Sequence, residues 1–474
     1  MSKHLSGSRA GGSQLELPLD CADPVDRTQP IAGSGCSPRG DQSVVSVPGS
    51  STENSYNNAW KQRFSDGNQN NNNKNNNNLV RCARRYTRSV HINGLIEKPS
   101  HLIQPRFLEP VTLEEVFEAY YSCRKNKRNT KEQLKFEVNM HENLIALYEQ
   151  IADRSYQPLP SRVFVVTHPK PREVWAAQFV DRVVHHIIYN RISPWYQRRF
   201  IFDSYACIPG KGIHSAVKRL DRFARQQTHN YQRSGYFAKI DLANFFQSIN
   251  LDILWSIFRR DGVVGLNSDI EFLLRKSLFE QSRDDVVLLS DPSLYNLVPP
   301  HKSLFAQPDN FGLPIGDLIS QLCANIYNNE VDQFAKHVLK IKRYIRYVDD
   351  FILLGDSYGQ LRDWIDHLDG FAQTRLNLAY NPSKTHLNHV NKGIDIFGYY
   401  VLPGRIYVRH DTYRRITRRA AKLSCRLKAG AGSEKALSLQ QSLSSYYGQF
   451  VHTDTCVPGF VASGATGVEG LLCA

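Results

Sequence analysis

The tetrapeptide Tyr347-Val348-Asp349-Asp350 places two adjacent carboxylates between apolar runs, Tyr344-Ile345 before and Phe351-Ile352-Leu353-Leu354 after. That pattern predicts a β-hairpin with an acidic tip. Asp suits tight turns with no further role, so the pair alone decides little. A second element narrows the choice. Tyr236-Phe237-Ala238-Lys239-Ile240 reads as a strand ending at Asp241. One carboxylate at a strand end, facing two at a neighbouring hairpin tip, is an all-oxygen donor set suited to a hard divalent cation.

Around these elements the chain divides unevenly. Residues 1–105 are rich in Ser, Gly, Pro and Asn, show no periodicity and read as a disordered leader. Patterning begins near Pro110. Thr112 to Tyr121 reads as a capped helix start, and Leu134 to Ile151 as a further helical run. Arg162 to Val166 reads as a strand. Phe179, Val183, Val184, Ile187, Ile188, Ile192 and Trp195 share one helical face. Leu318, Leu322 and Ile326 mark another helix, Ile394 to Val401 a strand, and Tyr413 to Leu427 a basic helix, with a last helix around Ser438 to Phe450. Interleaved helices and hairpins predict an α+β class.

The formal net charge of +14 favours a polyanionic partner. Nine cysteines without a C-x-x-C pair suggest reduced thiols rather than a zinc site or disulfide framework. The polar N-terminus lacks a signal-peptide core, and no apolar run approaches the ~20 residues of a membrane span. The expectation is a cytoplasmic protein with no membrane association.

Adding a nucleotide to a 3′-hydroxyl calls for an activated attacking oxygen and a stabilised pyrophosphate, work that two divalent ions about 4 Å apart can perform. Tyr347-Val348-Asp349-Asp350 resembles the central motif of reverse transcriptases, and Phe237 to Phe246 resembles their first aspartate motif. Matching segments run from about Leu113 to Thr453. The resemblance implies a right-hand polymerase: fingers and the start of the palm over 106–235, a palm of antiparallel sheet and helices over 236–402, a short helical thumb over 403–453, and an atypical tail over 454–474. It implies two Mg²⁺ ions, with Mn²⁺ as a substitute, at Asp241, Leu242, Asp349 and Asp350.

It also assigns roles, each with a plainer alternative. Phe246 matches an aromatic gate against the ribose 2′-hydroxyl, or is a core residue. Lys170 and Arg172 match a fingers clamp on the triphosphate, or a solvated basic turn. Arg182 and Asp181 could simply decorate a helix. Lys384 matches a general acid near the leaving pyrophosphate, or a surface lysine. Phe397, Gly398 and Tyr399 match a segment steadying the primer end, or pack in the core. Arg415, Arg418, Arg419 and Lys422 fall where a thumb helix tracks the duplex, or form a solvated face.

Leu313-Pro314-Ile315-Gly316-Asp317-Leu318-Ile319-Ser320-Gln321 carries the subfamily signal. Most reverse transcriptases have Gln-Gly near its start and Ser-Pro at its end. Here Ile315 and Gln321 depart from both, in a form similar to the enzymes of diversity-generating retroelements. Arg182-Val183-Val184-His185-His186, Asp203-Ser204-Tyr205-Ala206-Cys207 and Lys211-Gly212 share that likeness. Those enzymes miscopy template adenines so that a mutated copy replaces part of a target gene. Nucleotide contacts are expected at Ile315, Gly316 and Gln321, and Ile315 with Arg172 is expected to permit errors. The partners implied are template RNA, DNA primer or cDNA, dNTPs and a small basic accessory protein. Residues 50–85, with the Asn run from Asn68, resemble the variable end of a lectin-type target. They read as a translated template repeat or as an Asn-rich linker, and the native start then falls near residue 90 or beyond. Rival readings are a reverse transcriptase of phage defence, a retron or a group II intron, and a non-catalytic RNA-binding scaffold.

Overall fold

The computed structural model describes residues 105–125, 130–168, 170–428, 441 and 448–455. The chain divides into two units, and one of them, Pro24–Lys98, lies wholly outside the described residues. So do the expected template repeat, most of the leader, most of the helix expected around Ser438 to Phe450, and the tail beyond residue 455.

Helix α1 (Leu113–Arg124) opens on a reciprocal cap: the Glu115 amide donates to Thr112 Oγ1 at 3.3 Å and the Thr112 amide to Glu115 Oε2 at 3.0 Å. The helical run expected over Leu134 to Ile151 is two helices, α2 (Lys131–Val138) and α3 (Met140–Ala152). Asn139 leaves helical geometry at φ −123°, ψ 49°, and the Asn143 side chain caps α2 by donating to the Phe136 carbonyl at 2.9 Å. The antiparallel strands β1 (Ser161–Val166) and β2 (Arg172–Ala176) form a hairpin, which β4 (Val286–Leu288) joins parallel to β1. Helix α4 (Phe179–Gln197) follows, burying the apolar face seen in the sequence, and then α5 (Ile213–Gln227).

A second sheet has the order β5-β6-β3-β7, formed by β3 (Tyr236–Asp241), β5 (Arg343–Tyr347), β6 (Asp350–Gly355) and β7 (His386–His389), every pairing antiparallel. Its central strand β6 is apolar on both faces because both of its faces are covered. Phe351 and Leu353 of β6 join the large cluster built on α1, α3 and α4. Ile352 and Leu354 join a second cluster with Val217, Leu220 and Phe223 of α5. Short helices α6 (Phe245–Ser248) and α7 (Leu251–Arg260) follow β3, α8 (Asp269–Phe279) precedes β4, and α9 (Leu318–Gln333) and α10 (Tyr358–Leu376) flank the β5–β6 hairpin in sequence.

The single strand expected over Ile394 to Val401 is two, β8 (Ile394–Ile396) and β9 (Tyr399–Leu402), turning at Phe397 (φ 51°) and Gly398 (φ 84°). Two successive left-handed residues are the geometry of a tight hairpin turn. Strand β10 (Arg405–Val408) completes this third sheet and leads into the basic helix α11 (His410–Lys428).

Candidate active site

Strand register brings the acidic residues together. Asp241 pairs with Asp350 across β3 and β6, and Asp350 pairs with Tyr347 across β5 and β6, leaving Val348 and Asp349 as the turn. A slip of one residue would send Asp241 and Asp350 to opposite faces. Val348 sits at φ 54°, a left-handed conformation that costs a β-branched residue free energy. Two donors hold its carbonyl: Asn328 Nδ2 at 3.0 Å and Arg346 Nη1 at 3.2 Å. Arg346 is itself fully buried, with Nε donating to both oxygens of Asp332 at 2.9 and 2.8 Å. Its backbone exchanges hydrogen bonds with the Asp203 carbonyl (2.9 Å) and the Tyr205 amide (3.0 Å). The Asp203-to-Cys207 segment therefore braces the acidic hairpin.

The charges around the turn are opposed in pairs. Lys384 Nζ lies 2.7 Å from Asp241 Oδ1, and Lys239 Nζ 3.9 Å from Asp350 Oδ1. The Asp349 carboxyl is pushed up to about 7, first by burial and then by repulsion from Asp350 and Asp241, with Lys384 opposing. Burial lowers the Arg172 guanidinium, and Asp349 and Asp241 act against that shift. Hard oxygen donors whose mutual repulsion Lys384 offsets only in part fit a divalent cation. Among the described residues no three acidic, histidine or cysteine side chains are gathered as a metal cluster; it is backbone pairing that brings Asp241 beside Asp350 and the Val348-Asp349 turn. Leu242 has a buried side chain, its amide donates to the Asp349 carbonyl at 3.3 Å, and only its own carbonyl could serve a cation.

The other expected residues fall in different settings. Lys170 lies in the β1–β2 turn and Arg172 begins β2, both half-buried. Phe246 is half-buried against the large cluster, and its carbonyl accepts from the Leu313 amide at 2.8 Å. Ile315 is 7 % exposed and its carbonyl accepts from the Trp175 amide of β2 at 2.9 Å. Gly316 adopts φ 126° with Trp175 so close that a Cβ would lie 2.8 Å from its carbonyl oxygen. Gln321 is half-buried in the first turn of α9. Phe397 packs its ring 4.8 Å from that of Tyr347, and the Tyr399 hydroxyl meets His214 Nδ1 at 3.1 Å; both are buried, and only the Gly398 turn has open space above it. Arg415, Arg418 and Arg419 are exposed on α11, which also carries Lys422.

Arg182 and Asp181 hold the fold together. Arg182 Nε donates to the Ala177 carbonyl at 2.7 Å, and Asp181 accepts from the Tyr156 hydroxyl at 2.7 Å. The sequence reading missed Arg346, Asp332 and Asn328. A charge inside an apolar strand such as Tyr344-Ile345-Arg346 was the available signal, since a buried guanidinium needs a partner. Lys302 and Arg283 left no such local trace.

Asp241 and Asp350 on paired strands of an antiparallel sheet, with Asp349 in the adjoining turn and cations beside them, are an arrangement suited to nucleotidyl transfer. Residues 168–401 match the family described as Reverse transcriptase (RNA-dependent DNA polymerase), and they form a reverse transcriptase domain. The enzyme class is RNA-directed DNA polymerase, on an α+β right-hand polymerase fold. The chain is 24 % identical over 295 residues to Protein YkfC of Escherichia coli (strain K12), covering 55 % of this chain and 71 % of that protein. Among solved structures it is similar to apo telomerase from Candida tropicalis truncated from its C-terminal domain (13 % identity, TM-score 0.37, 55 % of this chain and 58 % of that one). It is also similar to telomerase from Candida albicans in complex with a fragment of telomeric RNA (11 %, 0.39, 67 % and 61 %). No helix among the described residues is long and apolar enough to cross a membrane.

Proposed function

We propose that this reverse transcriptase copies a template-repeat RNA into cDNA with errors directed to adenines, for mutagenic replacement of part of a target gene. The observation that carries the reading is Ile315, buried at 7 % exposure yet outside the three apolar clusters, and tied by its carbonyl to Trp175 beside Gly316. A Gln at this position could hydrogen-bond the incoming nucleotide and reward correct geometry. Ile cannot, so a correct pair gains less over a mismatch.

Asp241, Asp349, Asp350 and the Leu242 carbonyl are the groups that would hold two Mg²⁺ ions. Bound there, the metal would activate the 3′-hydroxyl and neutralise charge on the leaving pyrophosphate. Lys170 and Arg172 hold the triphosphate, Phe246 excludes a 2′-hydroxyl, and Lys384 protonates the departing pyrophosphate. The Gly398 turn supports the primer end, and Arg415, Arg418, Arg419 and Lys422 follow the duplex backbone. Template RNA, primer and a small basic accessory protein complete the working assembly.

The test is sequencing of cDNA made on an RNA encoding residues 50–85, with Mg²⁺ and the accessory protein encoded beside this gene. Errors concentrated at template adenines support the reading, as does a fall in those errors in Ile315→Gln. Faithful cDNA from the wild type moves the enzyme to phage defence or another reverse-transcribing element.

A further inference from the structure

The part of the β4–α9 loop from Pro299 to Phe311 belongs to no motif of the sequence, yet it is tethered from three directions. Arg283 donates through Nη1 to the carbonyls of Gln307 (3.0 Å) and Pro308 (2.9 Å), and through Nη2 to those of Asp309 (3.2 Å) and Phe311 (2.7 Å). A guanidinium is a rigid fork of donors, so four carbonyls on one fork fix the path of the loop. The Gln307 side chain then donates to the carbonyls of Pro300 and Ser303, each at 3.2 Å.

The turn Pro300–Lys302 inside this loop is attached to both halves of the site. Gln247 Nε2 donates to the Lys302 carbonyl at 3.1 Å, and Gln247 directly follows Phe246. The Leu304 amide donates to Glu173 Oε2 at 2.9 Å, and Glu173 directly follows Arg172. Lys302 is thereby set between the gate and the fingers hairpin. Its ammonium is half-buried and has no hydrogen-bond or ion-pair partner among the described residues. Burial lowers its pKa first, followed by repulsion from Lys170, Arg172 and Lys384, while Asp241 acts the other way. Lys302 is thus repelled by Lys170, Arg172 and Lys384, and a polyanion entering beside it relieves that repulsion.

We propose that Lys302 is a third cation of the nucleotide site, binding the triphosphate tail of the incoming dNTP alongside Lys170 and Arg172. It touches the substrate directly, and the Arg283 cradle is the device that holds it there. This inference rests on the polymerase reading of the aspartates. A phosphate of the primer–template backbone offers the same chemistry, so the test must separate the two sources.

Primer extension on an RNA template, with dNTP titrated, is measured for the wild type, Lys302→Met and Lys302→Arg, together with primer–template Kd and inhibition by inorganic pyrophosphate. In Lys302→Met the KM for every dNTP rises about tenfold or more and pyrophosphate inhibits correspondingly less. The turnover number and primer–template Kd stay within about twofold, and Lys302→Arg restores most of the loss. An unmoved dNTP KM overturns the inference, as does a rise confined to primer–template Kd. Should Lys302→Met fail to fold, acetylation of Lys302 in the wild type decides: pyrophosphate protects it, and no protection at saturation overturns the assignment. A wild type that extends no primer sinks the polymerase reading itself, whereas wild-type extension with unchanged Lys302→Met kinetics sinks this inference alone.

Discussion

Arg346 and Asp332 form an ion pair with no exposed surface on either side chain, Arg346 Nε lying 2.9 and 2.8 Å from the two carboxylate oxygens. The Tyr344 hydroxyl donates to the same carboxylate at 2.7 Å, and Arg346 Nη1 reaches Asn325 Oδ1 at 3.0 Å. Arg346 lies two residues before the Val348-Asp349 turn, and its Nη1 also holds the strained Val348 carbonyl. Removing one partner strands a buried charge, which costs about 3–5 kcal/mol. Asp332→Ala is therefore expected to lose about that much stability in urea denaturation. Activity should fall further than the folded fraction, because the acidic turn loses its support. A loss below 1 kcal/mol would show that the pair contributes little to holding the hairpin.

The repulsion at the acidic turn makes a prediction of opposite sign. Burial and the neighbouring Asp350 and Asp241 push the folded Asp349 carboxyl up to about 7, above its ordinary 3.8. Below both values the group is protonated in either state and costs nothing. As pH rises through that window the unfolded chain releases its proton first, so folding stability falls until about pH 7, by at most about 1.4 kcal/mol per pH unit. In EDTA, Asp349→Asn should therefore be more stable than the wild type at pH 8 while lacking polymerase activity. Saturating Mg²⁺ should reverse the order by stabilising the wild type. If Asp349→Asn is destabilised in EDTA at pH 8, the carboxylates do not repel as described.

The sequence exposed the acidic centre because strand alternation and an acidic tip are local patterns, carried within a few residues at Tyr236–Asp241 and Tyr344–Leu354. Register was less legible, since β6 is buried on both faces and alternation alone does not choose one pairing; the short Val348-Asp349 turn fixes it. The break at Asn139 was harder to see, because apolar residues continue at helical spacing on both sides of it. The turn at Phe397-Gly398 lay hidden inside a continuous apolar run, although the glycine marked it. Lys302 could not be found at all. Its placement depends on Arg283, Gln247 and Glu173, which lie far apart in sequence, act partly on backbone carbonyls, and leave no spacing to read. Phe397 and Tyr399 show the reverse: the sequence flagged them, while the structure turns both rings into the core.

Gly316 lies where two parts of the site touch. Its φ of 126° and the Trp175 carbonyl oxygen, which a Cβ here would meet at 2.8 Å, both exclude a side chain, and the Ile315–Trp175 hydrogen bond at 2.9 Å ties the two segments together. Gly316→Ala should cost about 1–3 kcal/mol through backbone strain. It should also raise dNTP KM, because Ile315 and the strand carrying Arg172 shift together. Unchanged stability and kinetics would mean that the contact is loose in solution.

Lys384 tests whether the 2.7 Å contact with Asp241 is structural or chemical. The lysine side chain is half exposed, and ion pairs of this kind contribute little to stability in water. Lys384→Gln should accordingly denature within about 0.5 kcal/mol of the wild type. The single-turnover rate of nucleotide addition should fall about 100-fold if the ammonium donates a proton to the leaving pyrophosphate. In that case the solvent deuterium isotope effect on the chemical step drops towards unity in the variant, since no lysine proton is in flight. A rate loss that leaves the isotope effect unchanged would assign Lys384 to holding Asp241 in place. An unchanged rate would make it a surface lysine whose pairing with Asp241 does not matter for turnover.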